Sequence, residues 1–198
     1  MFEVLKNAWK IKDLRKKLLY TAFMLLIFRL CCFIPTPFID QVAVSESMNA
    51  NGTWGVIDLI TGGAMQNYTI MAMGISPYIN ASIILQLLAV VFPKLGELSK
   101  EGPEGRKKVN QYTRLLGVGL AFVQAIGICL SIKGAIVSDY QDIAWLAYII
   151  VGITITAGSA LAMWIGERIT ENGVGNGISL LIFIGIIARL PATVVAYV

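Results

Sequence analysis

What most constrains this sequence is a set of five long apolar runs with almost no charge inside them. They are Leu18 to Pro35, Thr69 to Phe92, Leu115 to Ile132, Ile143 to Gly166 and Ile178 to Val198. Each is close to the ~20 residues that carry a helix across a bilayer, and only Arg29 and Arg189 put a charge in any of them. Composition points the same way. Of the 198 residues 14% are charged and 57% hydrophobic, whereas a soluble domain carries about 25% charged residues. Such a chain cannot cover a water-facing surface, so the expected fold class is an all-α polytopic membrane protein. The third and fourth runs carry Gly, Ala, Ser and Thr at close spacing, which lets backbones approach one another within a bundle.

Loop charge sets the orientation. Residues 1–17 hold Lys6, Lys10, Lys12, Arg15, Lys16 and Lys17. Loop 93–114 holds Lys94, Lys100, Arg106, Lys107, Lys108 and Arg114, and loop 167–177 adds Arg168. Against these thirteen, segment 36–68 has none and segment 133–142 has only Lys133. Basic loops stay on the cytosolic side, so the N-terminus is expected in the cytosol and the chain leaves the fifth run on the outer side. This asymmetry accounts for the net charge of +4 without nucleic acid. The basic loops also suit acidic lipid headgroups or a cytosolic protein. The N-terminus is basic and amphipathic, and no small-residue cleavage site follows the first apolar run, so no cleavable signal peptide is expected.

Chemistry is narrowed by what is missing. The chain has no histidine, which removes His-based triads, most zinc sites and His proton relays. Cys31, Cys32 and Cys129 lie inside apolar runs and read as small hydrophobes. There is no paired intramembrane carboxylate and no metal spacing, so an enzyme, a metal and a cofactor are not expected.

One stretch does not fit a simple span. "WGVIDLITGGA", Trp54 to Ala64, is apolar but too short to cross. At about 1.5 Å rise per residue it makes a helix of roughly 15 Å, and Gly62-Gly63 then ends it. It can lie on the outer lipid surface or fold back into a protein-lined cavity. Asp58, Gln66 and Asn67 suit a wet cavity better, because broken backbone at membrane depth survives only where protein or water satisfies it. The second run carries Ser76, Pro77, Asn80, Ser82 and Gln86, with Pro77 expected to remove one helix hydrogen bond. Ile75 and Ile79 sit one turn apart on it. The fifth run opens on "ENGVGNGIS" and leads into Ile178 and Ile182, again one turn apart. No Lys-Ser/Thr follows these glycines, so the loop is not a phosphate loop. On the residues alone, ordinary helix packing accounts for both isoleucine pairs.

"FRLCCFIPTPFID", "GGAMQNYTIMAMGISPYINASIILQLL", "EGPEGRKKVNQYTR" and "MWIGERITENGVGNGISLLIFIGII" together resemble the SecY family, the channel subunit of the Sec protein translocase. The resemblance runs from about Leu14 to the end, in order and at family spacing. Family members have ten spans in two inverted halves of five, so this chain resembles the N-terminal half. The resemblance implies a protein-conducting channel for Sec-dependent secretion across, and insertion into, the bacterial cytoplasmic membrane. It implies a plug over Thr53 to Asn67, with Trp54, Val56, Ile57, Asp58, Leu59, Ile60, Thr61, Gly62 and Gly63 turning back into the funnel. It implies that Ile75, Ile79, Ile178 and Ile182 form part of a pore ring, a dry aliphatic constriction that resists ions. Asn80, Gln86 and Gln124 match polar positions of a lateral gate whose one wall is the second and third spans. Arg106, Lys107, Lys108 and Arg114 would face a cytosolic partner. The implied partners are a C-terminal five-span half, SecE and SecG subunits, a SecA motor or ribosome, signal-sequence-bearing polypeptides and anionic lipids.

Two other classes fit parts of the pattern. A secondary-transporter half also has broken helices near a central site, but it needs polar or charged ligand groups at the breaks, and here the breaks adjoin isoleucines. Arg29 and Arg189 lie near Pro35 and Pro191 and are expected to snorkel to the outer boundary. A non-conducting SecY-like fragment would keep the fold without a pore.

Overall fold

The computed structural model describes residues 11–50, 61–100, 102–131, 136 and 144–197. Seven helices cover most of them: α1 (Lys12–Cys31), α2 (Gln41–Ala50), α3 (Ser76–Val91), α4 (Pro93–Lys100), α5 (Pro103–Ser131), α6 (Ala144–Asn172) and α7 (Gly177–Tyr197). No strand occurs among the described residues, only two isolated antiparallel bridges, Pro35 with Thr69 and Ile39 with Ile136.

Local chemistry sets several of the boundaries. Asp40 starts α2, its Oδ1 accepting from the backbone N–H of Val42 at 2.9 Å and of Ala43 at 3.3 Å, the usual work of an N-cap carboxylate. Asn176 does the same for α7, accepting from Ile178 N–H at 3.0 Å. Pro77 stands in the first turn of α3, where its missing N–H has no helical acceptor to lose. The expectation that Pro77 removes a helix hydrogen bond is therefore corrected: in the first turn of α3 it removes none. The run expected to be helical from Thr69 is helical only from Ser76, and residues 61–75 are mainly a succession of turns. At about 1.5 Å per residue the 16 residues of α3 reach ~24 Å, short of a ~30 Å hydrocarbon core. Two features were not anticipated. The helix expected to begin near Leu18 extends back to Lys12, and loop 93–114 contains α4 and the first turns of α5.

Among the described residues two helices are long and apolar enough to cross a membrane, Lys107–Ser131 and Trp145–Asn172, with mean hydropathies of 1.8 and 1.9. They pack on each other, and α6 also meets α1 and α7, while α5 meets α3 and α4. α5 and α6 are thus the central pair. Large apolar side chains remain on the outside, among them Phe23 on α1, Leu115 on α5 and Val90 on α3, a surface that suits lipid.

The most buried part of the molecule is not a helix. Within the turn segment 61–75, Ala64, Met65, Tyr68, Met71 and Ala72 are each 1% exposed or less. The segment joins two apolar clusters. Met65, Tyr68, Ala72 and Met73 pack with Val44 of α2, Ala125 and Cys129 of α5 and Val151 and Ile155 of α6. Ala64, Met71 and Ile75 pack with Met24 and Phe28 of α1, Ala162, Ile165 and Ile169 of α6 and Leu181 of α7. Lipid tails are as apolar as these side chains, so such clusters stabilise through close packing rather than water release. The segment also satisfies its own backbone. Ile70 N–H donates to Ile34 O at 3.0 Å, Thr36 N–H to Tyr68 O at 3.2 Å, and Ala72 N–H to Thr69 O at 2.8 Å. Enclosed by protein and internally bonded, it meets the condition for non-helical backbone at membrane depth.

A single hydroxyl ties α1 to the turn between α6 and α7. Thr21 Oγ1 donates to Lys17 O at 2.9 Å and accepts from Val174 N–H at 3.1 Å. Thr21→Val keeps the shape and leaves the Val174 N–H without that acceptor, so it should lower stability by about 1 kcal/mol. A fluorescence melt in detergent checks this, and an unchanged midpoint would show that water replaces the hydroxyl.

Candidate functional site

Gly62 and Gly63 have φ values of 67° and 90°, where a side chain is penalised. Twelve residues on, Gly74 has a φ of 51° and delivers Ile75 and α3. These breaks bring Ile75, Ile79 and Ile182 to one gap of about 20 Å³, with Phe28, Thr61, Gly74, Ser76 and Leu181 completing its wall. That is room for about one water, and the lining is mostly hydrocarbon. Ile75 is 6% exposed and belongs to the packed cluster as much as to the gap, whereas Ile79 and Ile182 are half-buried. Thr61 is the first described residue of the expected plug. Trp54, Val56, Ile57, Asp58, Leu59 and Ile60 lie outside the described residues.

Ile178 stands elsewhere. One turn before Ile182, it lines a polar recess of about 430 Å³ with Tyr78, Asn110, Arg114, Glu167 and Asn176. Across this recess Arg114 Nη1 of α5 meets Glu167 Oε2 of α6 at 3.2 Å. Asn176 and Ile178 line the recess and Ile182, one turn further along α7, lines the gap.

The three amides expected at a gate separate into two places. Asn80 and Gln124 share a groove of about 510 Å³ between α3 and α5, with Met65, Met73, Ser76 and Ile128. Gln86 lies in another recess of about 280 Å³ with Ser82, Tyr112 and Thr113, its Nε2 donating to Ser82 Oγ at 3.2 Å.

The basic residues expected to face a partner divide as well. Arg114 is engaged with Glu167. Lys107 reaches Glu104 at 3.9 Å with both side chains exposed, a pair worth little. Lys108 is exposed, and the Arg106 side chain lies outside the described residues. Glu167 was missed by the sequence reading, since its partner Arg114 is 53 positions away. The only hint was a carboxylate placed directly after the fourth apolar run.

Arg29 corrects a second expectation. It does not snorkel outward. Its Nη1 donates to Gly62 O at 3.1 Å, and the guanidinium carbon lies 5.8 Å from the ring centre of Phe33. A charge in low dielectric gains more from a fixed carbonyl than from a distant interface. The Arg189 side chain lies outside the described residues.

Comparison with known proteins adds the family. The family model described as SecY matches residues 69–198. "Protein translocase subunit SecY" of Staphylococcus carnosus (strain TM300) is 40% identical over 202 residues, covering 100% of this chain and 46% of the relative. The protein of the same name from Bacillus licheniformis is 43% identical over 199 residues, covering 98% and 45%. The chain therefore spans about half the length of the curated relatives it matches. Among solved structures, "Sec61 in the Canine ribosome-channel complex from the endoplasmic reticulum" and "The structure of a protein conducting channel" each overlay with a TM-score of 0.63 at 23% identity, covering 88% of this chain and 36% of theirs. At that identity the likeness is one of fold.

Proposed function

This chain belongs to the SecY family, and on that premise we propose that it builds one half of a protein-conducting channel in the bacterial cytoplasmic membrane. In this reading α1, the turn segment with α3, α5, α6 and α7 are its five membrane-spanning elements. The N-terminus is cytosolic. The matching five-span half supplies the facing wall, and SecE, SecG, a SecA motor or ribosome and anionic lipids complete the assembly. The substrates are unfolded polypeptides bearing signal sequences.

The observation that carries this reading is the shared gap of Thr61, Ile75, Ile79 and Ile182. In this reading the gap is where the end of a re-entrant segment meets half of an aliphatic constriction. The polar recess around Glu167 and Arg114 then serves as the cytosolic funnel, Ile178 marks its floor, and Ile79 and Ile182 form the seal. Hydrated ions are rejected because branched aliphatic walls offer nothing to replace a hydration shell. A polypeptide passes because the other side of the constriction belongs to a separate half that can move apart. The groove holding Asn80 and Gln124 lies on the α3–α5 face and forms part of the lateral exit toward lipid. No covalent chemistry is involved.

Supplying the matching half should restore signal-sequence-dependent transport into vesicles and raise the detergent melting temperature of this chain. Equal stability and no transport with that half present would rule the reading out. Orientation is tested separately with single cysteines in a variant lacking Cys31, Cys32 and Cys129. Lys107→Cys should resist a membrane-impermeant maleimide added outside intact cells and react after permeabilisation. Strong labelling from outside would invert the topology.

A further inference from the structure

The start of α7 is tied to α6 by backbone contact and by one hydroxyl. A Cβ added to Gly177 would run into Gly166 O and lie 2.8 Å from Ile169 Cβ, so the two backbones touch where α7 begins. The first N–H groups of a helix have no acceptor within it. Two of those in α7 stay local: Asn176 Oδ1 accepts from Ile178 N–H at 3.0 Å and from Ser179 N–H at 3.4 Å. A third crosses to the neighbouring helix. Gly177 N–H donates to Thr170 Oγ1 at 2.9 Å, and that hydroxyl donates in turn to Gly166 O at 2.9 Å. The second bond aims the Thr170 oxygen, since a hydroxyl has one proton to give and lone pairs to receive. α6 thus presents an oriented acceptor at the point where α7 starts.

This tie bears on the seal. Ile178 follows Gly177 directly and lines the polar recess. Ile182 lies five residues beyond Gly177, about 7.5 Å along the helix, and lines the gap with Ile79. Leu181, beside it, is 1% exposed and packs toward Gly166 of α6. A turn or slip of α7 at its first residue therefore carries to Ile182. We infer that Thr170 is a positioning residue of the seal: by holding the Gly177 N–H it sets the rotation and height of α7, which places Ile182 at the gap and Ile178 in the recess. The inference rests on the channel reading above. Thr170 does not line the gap, so it acts through Ile182 and not by contact.

The test is resting ion conductance of the assembled two-half channel in planar bilayers, without substrate. Thr170→Val keeps the shape and removes the acceptor, and should raise conductance about fivefold, the scale of one lost hydrogen bond. Thr170→Ser keeps the hydroxyl and should stay near the parent. A role confined to general stability would add leak in any background. A residue that acts through Ile182 adds none once that side chain is gone, so Thr170→Val combined with Ile182→Ser should conduct no more than Ile182→Ser alone. Parent-level conductance in Thr170→Val, equal leak in Thr170→Val and Thr170→Ser, or additive leak in the combined variant overturns the role. If Thr170→Val fails to assemble, Thr170→Cys decides. It is close in size, its sulfur is a weak acceptor, and parent-level conductance there overturns the role equally. Ile182→Ser separates the two readings. If Ile182→Ser leaks and Thr170→Val does not, the positioning role is wrong and the channel stands. If Ile79→Ser and Ile182→Ser are both silent with assembly intact, the channel reading fails, and the positioning role with it.

Discussion

Gly158→Ala is expected to leave little folded protein, although it adds one methyl group to a helix. Alanine is ordinarily the better helix former, by about 1 kcal/mol. At this position the gain is overwhelmed. Gly158 lies on α6 where the turn segment crosses it, and a Cβ there would run into the carbonyl group of Ile70. Neither partner can step aside. The obstacle is backbone, not a side chain with alternative rotamers, and the turn segment is wedged between two packed clusters. Overpacking against immobile neighbours costs about 3 kcal/mol or more, a large share of the stability of most domains. Gly119→Ala is the matched control. It lies on α5 with nothing within 4 Å of an added Cβ, so it should be neutral or slightly stabilising. Yield after size-exclusion chromatography and the detergent melting midpoint measure both. Equal behaviour of the two variants would mean that the turn segment is not seated on α6 as described.

The small-residue run around Gly158 was legible in the sequence as a close-approach surface. What could not be read was the nature of the partner. Hydropathy does not distinguish a buried turn from a buried helix, because both are apolar throughout, so residues 69–75 passed as the start of a span. The signal that corrects this was present: a proline just after a serine is a helix-start signal. The break at Gly62-Gly63 was legible as paired glycines after an apolar stretch, and both residues have the positive φ that glycine tolerates. The isoleucine pairs were legible as pairs, but not as unequal members. Only the tertiary arrangement places Ile75 inside a packed cluster, Ile79 and Ile182 at the gap and Ile178 in the polar recess. Arg29 was misread for the same reason. Its acceptor is 33 residues away, and a local rule about charges near a membrane boundary sends such a side chain outward. Arg114 and Glu167 show the complementary failure: each looks like an unremarkable loop charge until α5 and α6 are laid side by side.

The central claim is that Ile79 and Ile182 are half of a seal, and the inequality among the four isoleucines makes it sharply testable. Replacing a half-buried isoleucine by serine removes an aliphatic wall and adds a hydroxyl that holds water. Full burial of such a side chain is worth roughly 1.5–3 kcal/mol. If most of the change falls on the dry state of the constriction, the wetted population rises by about tenfold. Ile79→Ser and Ile182→Ser should therefore raise leak while assembly survives. Ile75→Ser should instead cost assembly, because that side chain is 6% exposed within a packed cluster. Ile178→Ser should do least to the leak, since Ile178 lines the polar recess and not the gap. The decisive measurement is resting ion conductance of the assembled channel in planar bilayers without substrate. It compares the parent with Ile79→Ser, Ile182→Ser and Ile178→Ser, with exposed Lys94→Ser as control. Conductance should be about tenfold higher in Ile79→Ser and Ile182→Ser, and near the parent in Ile178→Ser and Lys94→Ser. Conductance at the control level in both Ile79→Ser and Ile182→Ser, with assembly intact, would make these isoleucines ordinary packing residues and contradict the channel assignment of the gap.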